Sequence, residues 1–416
     1  MKNLVGACIF GQSGGPTSVI NSSAAGVFIE ALAQKNITKV YGAANGIKGI
    51  LDENFYDIGK EDEKELYLLK NTPSSALGSV RYKLKSADVD ESDYKRILEV
   101  FKKYNIRYFF YNGGNDSMDT CNKVSKYLLN SGYECNIIGV PKTIDNDLYG
   151  TDHCPGYGSA AKYVATTMME LFLDATVYNK GQITIVEIMG RNAGWLTAAS
   201  ALASYKGQGP DLIYLPEQAF DVEKFLKQVK EVADKNEGKC IVALSEGIKT
   251  ADDQYVVEAI ASSSASKDSF GHTQLGGVAA TLANLVKERI GGKVRAVEFS
   301  LMQRCGAHLA SKNDVEEAFE AGRTAVRCAC EGYTDKMVVF ERKEGDDYAI
   351  EYKLMDIELA ANTEKKIPEE WILPENKGLT QDFVNYALPL IQGDCKAPLE
   401  DGLPRFAKLK RIKVQD

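Results

Sequence analysis

The chain has 416 residues, 44% of them apolar, enough for more than one packed core and, by length, for roughly two or three domains. Fifty basic against 58 acidic side chains leave a net charge of −8, which provides no field for holding nucleic acid or an anionic membrane; any polyanionic ligand must be met by local positive charge. Nine cysteines, scattered singly apart from Cys328 and Cys330, show neither zinc-type nor redox-type spacing and read as reduced thiols of a cytoplasmic protein.

Residues 4–10 are apolar for too short a run to be a signal peptide and read as a first buried strand, closed by Gly11-Gln12-Ser13-Gly14-Gly15-Pro16. No later segment approaches the roughly 20 apolar residues of a membrane span, so no membrane association is expected. A helix over 18–33 and a strand over 39–43 follow, and further strands are predicted at 107–111, 136–140, 183–189, 211–215, 240–244 and 294–299. Between them, 93–103, 159–178, 222–236 and 314–331 carry apolar residues three and four apart, as amphipathic helices do. This alternation predicts an α/β protein with mostly parallel sheets and helices on both faces. The short stretch 262–267 reads as a loop. After about Lys336 the pattern changes to a hairpin, 337–342 with 348–354, and a helix over 379–391, read together as a structural appendage.

The chemistry is concentrated in loops that follow apolar strands, where open α/β sheets bind ligands. Gly11–Gly15 precedes a helix and fits either an anion brought close to backbone amides or a glycine turn needed only for packing. Gly113-Gly114-Asn115-Asp116-Ser117 repeats the arrangement; helix capping explains Asn115 or Asp116 but not the glycine pair. Beside a phosphate site Asp116 requires a compensating cation, Mg²⁺ or a lysine. Lys142-Thr143-Ile144-Asp145-Asn146-Asp147 holds more charged and polar groups than a turn requires. Asp145 is suited to take the proton of an attacking hydroxyl while neighbouring oxygens ligate Mg²⁺. This combination points to phosphoryl transfer. Met189-Gly190-Arg191 places an arginine at a strand end, where it can brace a phosphoryl group or form an ordinary surface ion pair. Ser245-Glu246-Gly247 offers a carboxylate for sugar hydroxyls, Arg295 and Arg304 flank one strand as a possible phosphate pair, and Arg81 follows a loop from which it can reach an anion. His153, His272 and His308 lack metal-ligand spacing and are expected to have no catalytic role.

Taken together, Gly113-Gly114-x-x-Ser117, Pro141-x-Thr143-Ile144-Asp145-Asn146-Asp147, Met189-Gly190-Arg191, Glu246-Gly247 and Gln303-Arg304 resemble the phosphofructokinases, in order and over most of the chain. The resemblance implies Asp145 as the base for the C1 hydroxyl of fructose 6-phosphate, with Lys142, Thr143 and Arg191 beside it in catalysis. It implies that Thr143, Asp145, Met189, Gly190, Arg191, Glu246, Arg295 and Arg304 hold the sugar phosphate, and that Gly11, Arg81, Gly114, Asp116 and Lys142 hold the phosphoryl donor. ATP-using members carry glycine at the positions of Asp116 and Lys142, whereas members using pyrophosphate carry Asp and Lys. These side chains fill the space of an α-phosphate, and the ammonium neutralises the leaving phosphate. Pyrophosphate is therefore the expected donor, with an ATP-dependent member the alternative. Mg²⁺ is the implied cofactor, near Asn115, Asp145 and Asp147. Because Asn115 stands where an acidic ligand is usual, the ion is expected to be held mainly through pyrophosphate oxygens, water and nearby carboxylates. Gln182 stands where many members have an arginine that reaches across a subunit boundary.

The resulting expectation is two doubly wound, Rossmann-like α/β domains with a cleft between them. The phosphoryl-donor domain is 1–155 with a returning segment at about 303–350, the fructose 6-phosphate domain is 156–302, and 351–416 is an appendage packed on the second domain. A cytoplasmic homodimer is expected from the resemblance and from the prevalence of two-fold assemblies. A lipid or nicotinamide-nucleotide kinase, and a regulatory subunit that binds a sugar phosphate without turnover, are the readings from other classes.

Overall fold

In the computed structural model the described residues are 4–260, 277–345, 347–361 and 363–414; the predicted loop at 262–267 and His272 lie outside them. Strands β1 (Gly6–Gln12), β2 (Ile37–Ala43), β3 (Phe55–Asp57), β4 (Ile106–Gly113), β5 (Asn136–Pro141), β6 (Gln182–Ile188), β7 (Leu212–Tyr214), β8 (Cys240–Ser245), β9 (Lys293–Glu298), β10 (Lys336–Arg342) and β11 (Ile350–Asp356) form two sheets. The first has the order β11-β10-β5-β4-β1-β2-β3, the second β7-β8-β6-β9. The contacts of β1 with β2 and β4, of β4 with β5 and of β5 with β10 are parallel, and so are all those of the second sheet. Only the edge strands β3 and β11 run antiparallel.

Burial on both faces explains why β1, β4 and β5 read as continuous apolar runs. Alternate residues serve opposite faces. Ile9, Phe109, Tyr111 and Ile137 pack with Ile97 and Phe101 of the helix Ser92–Lys103 and with Met118 and Cys121 of the helix Asn115–Asn130. Cys8, Phe10, Phe110 and Ile138 face the helices Ile20–Ala33 and Lys312–Cys330. Those two helices are pressed together at glycines: a Cβ at Gly26 would lie 2.0 Å from the Phe319 carbonyl oxygen, and one at Gly322 2.2 Å from that of Ser23. The returning helix and β10 thus complete the first sheet's layers.

The second sheet is covered on one face by the helices Val222–Lys235 and Val278–Arg289. The other face packs on the helix Tyr157–Thr176, on Trp195 and Leu196, and on Ile367, Leu379, Phe383 and Leu390 from the tail. The tail expected over 351–416 divides between the two sheets. Its first residues form β11 and its middle lies on the second sheet. Its end returns to the first, where Val414 N–H donates to the Phe55 carbonyl at 3.0 Å and Lys413 bridges Tyr56. That return covers the open edge at β3, a strand too short to register as a periodic run. None of the nine cysteines is in a disulfide, and among the described residues no helix is long and apolar enough to cross a membrane.

Candidate active site

A cavity of about 270 Å³ opens where the carboxyl ends of β1, β4 and β5 face the loop after β6. Its floor on the first sheet is Ser13-Gly14-Gly15 after β1, Gly114 to Ser117 after β4, and Lys142, Thr143, Asp145 and Asp147 after β5; Arg191, Asn192 and Ala193 close it from the second sheet. Parallel strands end at one edge, so each strand contributes a loop to the same crevice.

Both glycine turns are close-packed. Gly14 has φ +75°, a left-handed conformation that favours glycine. A Cβ on Gly113 would meet the Ser117 hydroxyl at 2.0 Å, which is why the turn into the helix Asn115–Asn130 admits no side chain there. The Lys142 side chain runs between these turns. It is 4% exposed, and its ammonium donates to the Gly15 carbonyl oxygen at 2.8 Å. Burial pushes its pKa down to about 8, aided by Arg304 and Arg81 and opposed by the carboxylates of Asp145 and Asp147. Asp116 lies at the cavity rim, 3.7 Å from the Lys83 ammonium.

Thr143 begins a tight turn by accepting the Asp145 N–H on its hydroxyl at 3.1 Å. Asn146 then adopts φ +55°, and its side chain holds the turn by donating to the Tyr386 hydroxyl at 2.7 Å and accepting from Cys154 N–H at 2.9 Å. The result aims Asp145 and Asp147 into one cavity. Burial raises the Asp145 carboxyl above the usual range, with Lys142 and Arg191 opposing that rise. Burial, then the charges of Asp145 and Glu364, push Asp147 up to about 7. Asn115 donates to Asp147 at 3.1 Å, while its own side-chain oxygen is buried without a partner.

On the second sheet Gly190 takes φ +139°, and its carbonyl accepts from the Ser245 hydroxyl. Gly247 packs beneath the Arg191 backbone, where a Cβ would meet the Arg191 carbonyl oxygen at 1.8 Å. Glu246 is therefore held beside Arg191. Burial and the Asp145 charge push its pKa up to about 7, against the pull of Arg191. Met189 N–H donates to Gln303 at 3.3 Å, and the next residue, Arg304, places its guanidinium 2.8 Å from where a Gly15 Cβ would sit. Such a crevice, with cations on three sides and carboxylates on its floor, suits a phosphate chain and a hydroxyl that must lose a proton.

A phosphofructokinase family model matches residues 8–308. The pyrophosphate--fructose 6-phosphate 1-phosphotransferase of Xanthomonas campestris pv. campestris is 45% identical, covering 98% of this chain and 97% of that protein; the enzyme of the same name from Halomonas elongata is 42% identical over 98% and 96%. The chain belongs to the phosphofructokinase family. A crystal structure titled pyrophosphate-dependent phosphofructokinase, from Marinobacter aquaeolei, superposes with a TM-score of 0.88 at 39% identity over 99% of this chain and 98% of that one.

Of the residues singled out from sequence, the fold brings Arg81, Gly114, Asn115, Asp116, Lys142, Thr143, Asp145, Asp147 and Arg191 into the lining of one cavity. Arg304 and Glu246 act on it electrostatically from just behind. Gly11 is not in the lining: it lies within β1, where a Cβ would meet the Tyr111 ring at 2.8 Å, and the loop faces the cavity through Ser13, Gly14 and Gly15 instead. Arg295 also stands apart, exposed on the edge strand β9 and donating to Gln182 at 3.0 Å. Sequence reasoning missed Asn192, Ala193 and, above all, Glu364. Glu364 comes from the tail and follows no apolar strand, so no local signal marked it. No three His, Cys, Asp or Glu side chains among the described residues form a metal cage. The partnerless oxygen of Asn115 beside Asp147 does fit Mg²⁺, which keeps several waters and takes few protein oxygens.

Proposed function

We propose that the protein transfers a phosphoryl group from pyrophosphate to the C1 hydroxyl of fructose 6-phosphate, giving fructose 1,6-bisphosphate and phosphate, by direct in-line displacement. The observation that carries the choice of donor is the buried Lys142 ammonium, fastened to the Gly15 carbonyl between the two glycine turns with Asp116 at the rim. A nucleotide's α-phosphate needs that space. Pyrophosphate does not, and its leaving phosphate gains a cation in return.

In this reading Asp145 accepts the C1 hydroxyl proton as that oxygen bonds to phosphorus and the bond to the bridging oxygen breaks. Its raised pKa brings it nearer the pH at which it must work as a base. Arg191 spans donor and acceptor, and Arg81 and Arg304 hold charge on the donor side; Thr143, Met189, Gly190 and Glu246 surround the sugar. Mg²⁺, held by Asp147 and Asn115 with Asp145 nearby, would neutralise pyrophosphate oxygens. Arg295 is assigned to the sugar 6-phosphate in a cytoplasmic homodimer. The open edge at β9 and the exposed Leu173, Val177, Tyr178, Leu301 and Met302 supply apolar surface for such a contact. The first sheet with its returning segment is assigned to the donor and the second to the sugar.

The test is a donor comparison on purified protein with fructose 6-phosphate and Mg²⁺. Pyrophosphate is expected to support turnover, and replacing both Asp116 and Lys142 with Gly is expected to abolish it. Turnover with ATP and none with pyrophosphate refutes the proposal.

A further inference from the structure

Residues 364–367 lie beyond the stretch matched by the family model, yet Glu364 lines the cavity and the segment is bonded to the loops on both of its sides. Toward the first sheet, Glu364 forms an antiparallel bridge with Leu148, and Lys365 N–H donates to the Asp147 carbonyl at 2.8 Å. The Lys365 ammonium donates to the carbonyls of Asp152 at 2.6 Å and Thr151 at 3.2 Å. Toward the second sheet, Glu364 accepts from the Asn192 amide at 2.9 Å and the Lys365 carbonyl accepts from the Trp195 indole at 2.8 Å. Ile367 N–H donates at 3.3 Å to Glu217, whose same oxygen accepts from Gly194 N–H at 2.8 Å.

The loops so joined are the ones that carry Asp145 and Arg191. They end strands of two different sheets, so no ladder of backbone hydrogen bonds sets the distance between them. A displacement reaction needs that distance held closely, because a misplacement of about 1 Å can cost about 100-fold in rate. A ligand-binding role explains Glu364 poorly. One of its oxygens is engaged by Asn192, and its negative charge faces Asp145, Asp147 and any phosphate ligand.

We infer that Glu364 and Lys365 are positioning residues, which strap the Asp145 loop to the Arg191 loop at the spacing phosphoryl transfer requires. The inference rests on the phosphoryl-transfer reading above. Glu364 acts through Asn192 and the loop carrying Arg191; Lys365 acts through the carbonyls of Asp147, Thr151 and Asp152.

The test compares Glu364→Ala, Glu364→Gln, Asn192→Ala, the Asn192→Ala/Glu364→Ala double variant and Lys365→Met in the full-length protein, with kcat and both KM values measured separately and folding followed by thermal melting. Glu364→Ala and Lys365→Met are expected to lower kcat about 10- to 100-fold while each KM stays within about threefold. Glu364→Gln should regain most of the loss, since its amide oxygen still accepts from Asn192. Asn192→Ala should match Glu364→Ala, and the double variant should fall no further than either. If Glu364→Gln is as impaired as Glu364→Ala, the charge and not the strap is what matters and the inference fails. It fails equally if KM rises at constant kcat, or if none of the folded variants differs from the parent. A parent chain that turns over ATP instead of pyrophosphate refutes the donor reading alone, and the same comparison run with ATP still decides the strap.

Discussion

Lys142 and Asp145 lie three residues apart on one turn, and burial drives both toward their neutral forms. For Lys142 this makes a usable pH signature. With its pKa pushed down to about 8 in the free protein, the ammonium is charged below that pH and loses its charge above it. Pyrophosphate kcat/KM is therefore expected to fall as pH rises through about 8, and Lys142→Met should show a low, flat alkaline limb; a pH profile of kcat/KM checks this. Asp145→Asn keeps the shape and hydrogen-bonding reach of the side chain but removes the proton acceptor. A loss of about 10²- to 10⁴-fold in kcat is expected, with KM for fructose 6-phosphate little changed, measured by steady-state kinetics.

The elements are joined behind the site by a buried charge cluster. His153, on the loop that follows Asp147, pairs with Asp152 at 2.8 Å and with Glu317 of the helix Lys312–Cys330 at 2.7 Å. Arg342 at the end of β10 binds Asp152 at 2.9 Å, and Tyr348 donates to Glu317 at 2.6 Å. Burial opposes charge on the imidazole, but Glu317 and Asp152 outweigh it and raise the pKa to about 9. Because the folded value exceeds the ordinary 6.5, the contribution to stability is fully present below about pH 6.5 and is lost as pH rises through about 9. His153→Gln should therefore be markedly less stable than the parent at pH 6, with the gap closing toward pH 9.5, as denaturant melts across that range would show. The sequence-based expectation that His153 has no catalytic role is compatible with this structural one.

Across the whole molecule, the cleft is lined by loops of two sheets and by the tail, and in the proposed reaction its cations meet the donor and Asp145 meets the reacting hydroxyl. The same groups serve transfer in either direction. Pyrophosphate and the phosphomonoester product lie closer in free energy than ATP and a phosphomonoester do, so the reaction is expected to run readily backward. Fructose 1,6-bisphosphate and phosphate should release pyrophosphate at a rate comparable to the forward one, followed by a pyrophosphate-coupled assay.

Much of this was legible in local sequence because strand period, glycine turns and polar loops are local properties. The apolar runs that became β1, β4, β5, β6 and β8 lie within two residues of their predicted bounds, and the hairpin after Lys336 forms as β10 and β11. Asp116, Lys142 and Asp145 follow neighbouring strands of one parallel sheet, so their convergence was implied by the fold class, whereas Arg191 follows a strand of the second sheet and reaches them only through the way the two sheets face each other. Tertiary structure alone decided the rest. Gly11 belongs to β1 because it pairs with Ala43 and Tyr111 on both neighbouring strands, and the Tyr111 ring leaves no room there for a side chain. Arg295 fell on an exposed edge because β9 has a neighbour on one side only. Glu364 entered the cleft, with Lys365 beside it, through bonds to residues 170 or more positions away, and a sequence window holds no trace of contacts made over such a distance.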